Sequence, residues 1–286
     1  MNPNGESSFQ FCERLTRSHY ENFPIGWFLP RRQKKYIYSL YAFARTADDF
    51  SDEALYDGSR LARLEEWQRH LEAAARAEPD PGQPIFVALS ETIRTFDLPP
   101  SLLADLLTAF RIDVTQKRYP TYRDLEEYCR YSANPIGRLV LILSGYREPH
   151  LMELSDKICT GIQLVNHWQD IAVDLKKDRV YLPEEDLQRF HYSLEDLQAQ
   201  RVNEPFRALM RFEIERTRRL FREGKPLLDA IDRRLRWQVS LMWAGPMAIL
   251  DRIEAVDYDI FRRRPSLSKR DKIRLFLSHR LTRGVR

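Results

Sequence analysis

Two aspartate pairs, each spaced one helical turn apart, sit on segments whose other residues are largely those of a protein core. The first lies in YAFARTADDFSDE, Tyr41 to Glu53, where Tyr41, Arg45, Asp48 and Asp52 follow at steps of four, three and four. On a helix these four share one face. The second lies in GIQLVNHWQDIAVDLKKDRVYLP, Gly161 to Pro183, where Gln163, Asn166, Asp170 and Asp174 follow at three, four and four. Their neighbours Ile162, Leu164, Val165, Trp168, Ile171 and Val173 are apolar. Like charges at i, i+4 destabilise a helix by about 0.2–0.5 kcal/mol. The first pair also falls at a helix C-terminus, where the macrodipole is already negative.

A solvated acidic helix end accounts for the first stripe taken alone. The second stripe, on a helix that reads as buried, needs more, because a buried carboxylate is costly unless it is paired or holds a metal. Two such helices facing each other would offer only oxygen ligands to a shared cavity. That donor set suits a hard cation, and Mg²⁺ takes carboxylates, waters and substrate phosphates. A metal bridging both stripes to a diphosphate would relieve both like-charge pairs and stabilise a departing diphosphate.

The rest of the chain supports the helical reading. Only 10 glycines occur in 286 residues, and strand-like alternation is scarce. Helical periodicity predicts helices near 34–53, 57–77, 84–96, 100–115, 122–144, 150–175, 204–232, 236–256 and 266–281. EPDPGQP, DLPPS and SGYREPH separate some of them. No internal repeat or low-complexity linker interrupts the series. The expectation is one all-helical domain over 1–286, closed by a basic helix at about 262–286.

Composition narrows the class. At 43% hydrophobic and 31% charged, with a net charge of +4, the chain reads as soluble and able to fill a core. MNPNGESSFQ has no apolar signal core, and VSLMWAGPMAIL is too short to span a bilayer. Three cysteines, Cys12, Cys129 and Cys159, have no metal-type spacing and suggest a reducing compartment without disulfides. A cytoplasmic location follows as the expectation. From Arg262 to Arg286 there are ten Lys or Arg against one acid, Asp271. This tail reads either as a solvated final helix or as a basic face for the inner, anionic surface of a membrane. Nucleic acid is not expected, since no recognisable motif accompanies the charge.

With both stripes in this order and separation, the sequence resembles the squalene/phytoene synthase family of head-to-head isoprenoid synthases. The likeness runs from SHYENFPIGWFLPRR to YDIFRRRPSLSKRDKIRL. It implies an all-α, single-domain isoprenoid (terpenoid) synthase fold with a central apolar cavity, prenyl diphosphate substrates and Mg²⁺. Carried over by position, Asp48, Asp52, Asn166, Asp170 and Asp174 would bind Mg²⁺. Tyr41 and Arg45 would lie beside the diphosphate, and Ser18, His19, Tyr20 and Glu21 fall on a substrate-binding segment. Gln163, Arg179 and Tyr181 are further substrate contacts, and Tyr128 sits at the family's cavity tyrosine. The catalytic set implied is Arg45, Asp48, Asp52, Tyr128, Asp170 and Asp174.

Departures from the family's pattern fall at Ala44, Gln169, Val173-Asp174 and ANPIG. SHYENFP, ARTADD, SANPIGR and NHWQD together resemble the hydroxysqualene-forming branch of bacterial hopanoid biosynthesis. That branch takes presqualene diphosphate from a sister synthase and passes its alcohol to a flavin-dependent, squalene-forming reductase. Presqualene diphosphate, squalene or phytoene synthesis remain the alternatives among enzymes. A non-catalytic scaffolding relative is the alternative outside them, but such a chain should have lost its aspartates. No Gly-x-Gly-x-x-Gly appears in a strand–helix setting to hold a nicotinamide. A hydroxylated product would require a side chain that places a water, and Asn134, Asn166, His167 and Gln169 are candidates.

Overall fold

The computed structural model describes residues 6–18, 31–268 and 270–271, without the side chains of 31 and 32. Among them there is no strand, and nearly all regular structure is α-helix. The chain forms two compact units, one of residues 1–115 and 138–147, the other of 116–137 and 148–286. It crosses between them three times, so no single linker marks a boundary.

The first unit holds α1 (Ser8–Ser18), α2 (Arg31–Asp52), α3 (Arg60–Ala75), α4 (Pro84–Phe96) and α5 (Pro100–Thr115). Its centre is aromatic. Trp67 of α3 packs edge-on to Phe86 of α4 at 4.5 Å between ring centroids and to Phe50 of α2 at 5.2 Å. Its indole N–H donates to the Phe43 carbonyl at 3.2 Å, so burying the ring leaves no polar atom unsatisfied. Ser39 and Thr92 pair their hydroxyls at 2.7 Å between α2 and α4. These contacts hold the inner face of α2, leaving Tyr41, Arg45, Asp48 and Asp52 on a less buried face.

The second unit begins with α6 (Tyr122–Ser132), opened by a capping box in which Thr121 and Asp124 satisfy each other's backbone N–H. Next comes α7 (Asn134–Leu143), which starts in this unit and ends in the first. Then follow α8 (Pro149–Asp174), α9 (Glu184–Arg189), α10 (Leu194–Gln198), α11 (Glu204–Gly224), α12 (Leu227–Ala230) and α13 (Arg233–Ala255). Helices α8 and α11 pack closely because glycines face them together. A Cβ on Gly224 would lie 2.6 Å from Ile158 Cγ1 and 2.9 Å from the Leu154 carbonyl oxygen. Trp168 of α8 is fully buried, and its indole donates to Thr217 of α11 at 2.8 Å.

Several boundaries differ from those the periodicity predicts. The expected helix at 122–144 breaks at Ala133, because Pro135 has no N–H to continue the helical ladder and its ring crowds the preceding turn. The one expected at 204–232 ends at Gly224, ahead of Pro226. Helices α1, α9 and α10 are additional, the last two being too short to show a period. Helix α13 runs through Pro246. Of the expected 266–281 helix, 266–268 are irregular and 270–271 helical, and the rest lies outside the described residues. Among the described residues, no helix is long and apolar enough to cross a membrane.

Candidate active site

In the first unit, the structure places Arg45 between two acids of its own helix. Its guanidinium pairs with Asp48 at 3.0 Å and with Asp49 at 2.8 Å. The Arg45 side chain is 13% exposed, while Asp48 is 38% and Asp49 23% exposed, so the guanidinium is enclosed and the acids face partly outward. Even so, the Asp48 carboxyl is pushed up to about 7. Burial is the largest cause, Arg45 opposes it, and the charges of Asp52, Asp113 and Asp49 add to it. Asp113, on α5, joins the packet from a second helix, which no single-helix spacing could reveal. A bound cation would relieve the charge crowded among these acids. Ser18 ends α1 with its hydroxyl on the Leu15 carbonyl at 2.9 Å. His19, Tyr20 and Glu21 lie outside the described residues.

In the second unit, α8 turns a polar stripe outward from a buried flank. Leu164, Val165, Trp168 and Ile171 are buried, Gln163, Asp170 and Asp174 half-buried, and Asn166 exposed. Val173, expected among the apolar flank, is exposed instead. The segment after α8 folds back through a short 3₁₀ turn at Leu175–Lys177 and a left-handed Asp178, with φ 55°. The Arg179 N–H then bonds the Asp174 carbonyl at 2.9 Å, and the Val180 N–H bonds the Lys117 carbonyl at 3.0 Å. This turn carries Arg179 and Tyr181 back to the helix that bears the aspartates. Together His167, Ile171, Asp174, Arg179, Val180, Tyr181 and Leu182 line one pocket.

Aromatic rings form one side of this site. The Tyr181 ring stacks on the His167 imidazole at 3.7 Å between centroids and 17° between planes. Tyr128 of α6 lies 6.0 Å from His167 and 5.8 Å from Tyr181, and Tyr119 lies 5.6 Å from both tyrosines. Thus Tyr128 and Tyr181, singled out separately in the sequence, are brought into one cluster, while Tyr119 gave no signal beyond its place before a helix. Burial, reinforced by Arg179, drops the His167 pKa to about 3, so the imidazole is neutral. The Gln163 amide nitrogen lies 3.4 Å from its Nε2.

The other amides have different partners. The buried Asn134 accepts from the Thr160 hydroxyl at 3.0 Å, which ties the start of α7 to α8. Gln169 donates to the Pro265 carbonyl. Asp170 receives both arms of Arg264, one of them Nη2 at 3.0 Å. Arg264 had shown itself only as part of a basic run, because pairing across 94 residues leaves no local pattern.

Among the described residues, no three acids, imidazoles or thiols gather closely enough to hold a metal by themselves. Each stripe contributes two carboxylates one turn apart, and the second adds the Asn166 amide. That is a fitting donor set for Mg²⁺, which keeps waters and shares its coordination with substrate phosphates. The three cysteines are free and buried.

The squalene/phytoene synthase family pattern matches residues 15–271 of this chain. A phytoene synthase of Arthrospira platensis is 30% identical over 274 residues, which is 90% of this chain and 87% of the relative. A hydroxysqualene synthase of Rhodopseudomonas palustris is 34% identical over 241 residues, 83% of this chain and 80% of the relative. The crystal structure of a squalene synthase from Alicyclobacillus acidocaldarius is 41% identical and superposes with a TM-score of 0.84, covering 88% of this chain and 94% of its own.

Proposed function

Since the chain belongs to the squalene/phytoene synthase family, whose enzymes process isoprenoid diphosphates, we propose that it converts presqualene diphosphate and water to hydroxysqualene and diphosphate. The observation that supports this product is the company of His167. An imidazole and the Gln163 amide lie against the aromatic cluster of Tyr119, Tyr128 and Tyr181, beside the second aspartate stripe. Aromatic faces stabilise a cation by roughly 0.5–2 kcal/mol each, and neutral polar groups among them can hold the single water that ends the reaction.

The residues divide the work. Asp48 and Asp52 on one stripe, and Asn166, Asp170 and Asp174 on the other, would hold Mg²⁺. The metal's contribution is Lewis-acid stabilisation of the leaving diphosphate. Arg45, Arg179 and Tyr41 orient the diphosphate, and Arg45 opposes charge as it grows there. The carbon–oxygen bond to diphosphate breaks with its electron pair on oxygen. The carbocation rearranges in the aromatic surroundings, a water oxygen bonds to it, and a proton is lost to give the alcohol. On this reading the substrate comes from a presqualene diphosphate synthase and the alcohol goes to a flavin-dependent reductase. The basic C-terminal residues would hold the enzyme at an anionic membrane face, where so apolar a substrate partitions.

A second reading ends in proton loss, as in phytoene synthesis, and the Arthrospira relative's match over 90% of the chain favours it. Product analysis decides. With presqualene diphosphate, Mg²⁺ and ¹⁸O-labelled water, and without NADPH, hydroxysqualene should form with label in its hydroxyl. Squalene formed only on adding NADPH, presqualene diphosphate formed from farnesyl diphosphate, or phytoene as the product would each overturn the assignment.

A further inference from the structure

The two aspartate stripes are both met by arginines, but of different kinds. Arg45 belongs to the helix that carries Asp48 and Asp49, at i, i+3 and i, i+4, so it stays beside them whatever binds. Arg264 reaches Asp170 from 94 residues away. It stands on an irregular segment, residues 264–268, that no helix constrains. Both carboxylate oxygens of Asp170 are engaged by its fork, and Asp174 lies within its field. Among the described residues, the segment is seated through Pro265, Ser266, Leu267 and Ser268, the last bonded to Asp271, which pairs with Arg252. Pro265 is buried and its carbonyl accepts from Gln169, Arg252 donates to the Ser266 carbonyl, and Leu267 lies beside Gly245. Arg264 itself keeps 51% of its side chain in solvent.

We infer that Arg264 stands in for the cation at Asp170, so that residues 264–268 act as a strap that must let go of this carboxylate before a metal can take it. The inference rests on the metal reading of the second stripe. A bidentate guanidinium takes a lone pair on each oxygen and sits where a chelating divalent ion would sit. The two cations therefore compete, by charge and by space, at Asp170. Within 264–268 only Pro265 is buried, and an irregular, largely exposed segment opens at lower cost than a core helix. The strap keeps the α8 carboxylates neutralised in the resting enzyme and weakens metal binding until something compensates for the lost pair. An incoming diphosphate offers the released guanidinium an alternative anion, which would make metal and diphosphate load together.

Calorimetric titration of Mn²⁺ into the full chain reads the competition without turnover. Arg264→Gln should bind Mn²⁺ about fivefold more tightly than the unaltered chain, the scale of one partly exposed ion pair. Arg264→Lys, which keeps the charge but not the fork, should fall between. Asp170→Asn separates the two readings. If it weakens Mn²⁺ binding while Arg264→Gln leaves affinity equal or lower, the strap is overturned and the metal reading stands. If Asp170→Asn has no effect on affinity, the metal reading fails and the strap fails with it. Circular dichroism checks that each variant folds. Should Arg264→Gln be misfolded, Arg264→Lys carries the test, with tighter binding supporting the strap and unchanged binding overturning it.

Discussion

At the scale of single residues, the first stripe holds two opposed charges in close balance. On the proposed reaction Arg45 would neutralise a leaving diphosphate, and its planar fork already spans two carboxylates. Arg45→Ala should lower kcat by about 10²–10³, the cost of removing one preorganised partner of a developing charge. Arg45→Lys should restore only part of this. Steady-state kinetics would contradict the role if KM alone rose. Asp48→Asn should abolish metal-dependent turnover and yet leave the metal-free protein more stable at alkaline pH. The Asp48 pKa is raised to about 7 in the folded chain, above the usual carboxylate value near 4. A raised carboxyl pKa means stability that is complete below pH 4 and is lost as pH rises through 7. Urea unfolding of the two proteins should therefore coincide at pH 4 and favour the asparagine variant at pH 8. Unaltered activity in the variant, or activity that survives excess EDTA, would remove Asp48 from the metal site.

At the scale of elements, the second unit has a charged joint between α9 and α11. Arg216 of α11 holds Asp186 of α9 at 2.7 Å and Glu213 of its own helix at 3.1 Å, and it lies over the Tyr122 ring at 4.0 Å. One guanidinium cannot satisfy two buried carboxylates. Glu213, fully buried, has its pKa raised well above the usual value, by burial first and by Asp186 as well, against the pull of Arg216. The shift favours its protonated form, and its contribution to stability fades as pH rises toward that raised value. Glu213→Gln keeps the shape and removes the titration. Its Tm relative to the unaltered chain should climb by about 2–4 °C between pH 5 and pH 8. A constant difference across that range would mean that Glu213 is ionised in the fold. The same joint shows what spacing could and could not reveal. Long helices such as α2, α8 and α13 were legible because an apolar face repeats over many turns. The short α9 lacks that repeat, and its place is set instead by Asp186 reaching Arg216, 30 residues away.

At the scale of the whole molecule, the all-α isoprenoid-synthase fold and the enzyme class were readable because both stripes carry their chemistry within a few turns of one helix. Asp48 and Asp52, or Asp170 and Asp174, are local facts. Their surroundings are not: Asp113 beside Asp48, Arg264 on Asp170, and Tyr119 beside Tyr181 come from other elements, and only folding brings them near. The basic C-terminus is the remaining feature that sequence can weigh by charge alone. Residues 272–286 hold one Lys, four Arg and no acid, interleaved with Ile273, Leu275, Phe276, Leu277 and Leu281. Basic residues at an anionic surface contribute about 1 kcal/mol each, so five of them suffice for reversible attachment when apolar side chains help. Replacing the five with Gln should release the protein from vesicles containing phosphatidylserine. Raising salt should do the same to the unaltered chain, because screening weakens a charge-led attachment. Arg264 lies outside this stretch, so metal binding should be unaffected by the replacements. Cosedimentation distinguishes the outcomes: equal binding by both proteins at low salt would show that the tail is a solvated terminus, and binding indifferent to salt would assign the attachment to the apolar side chains.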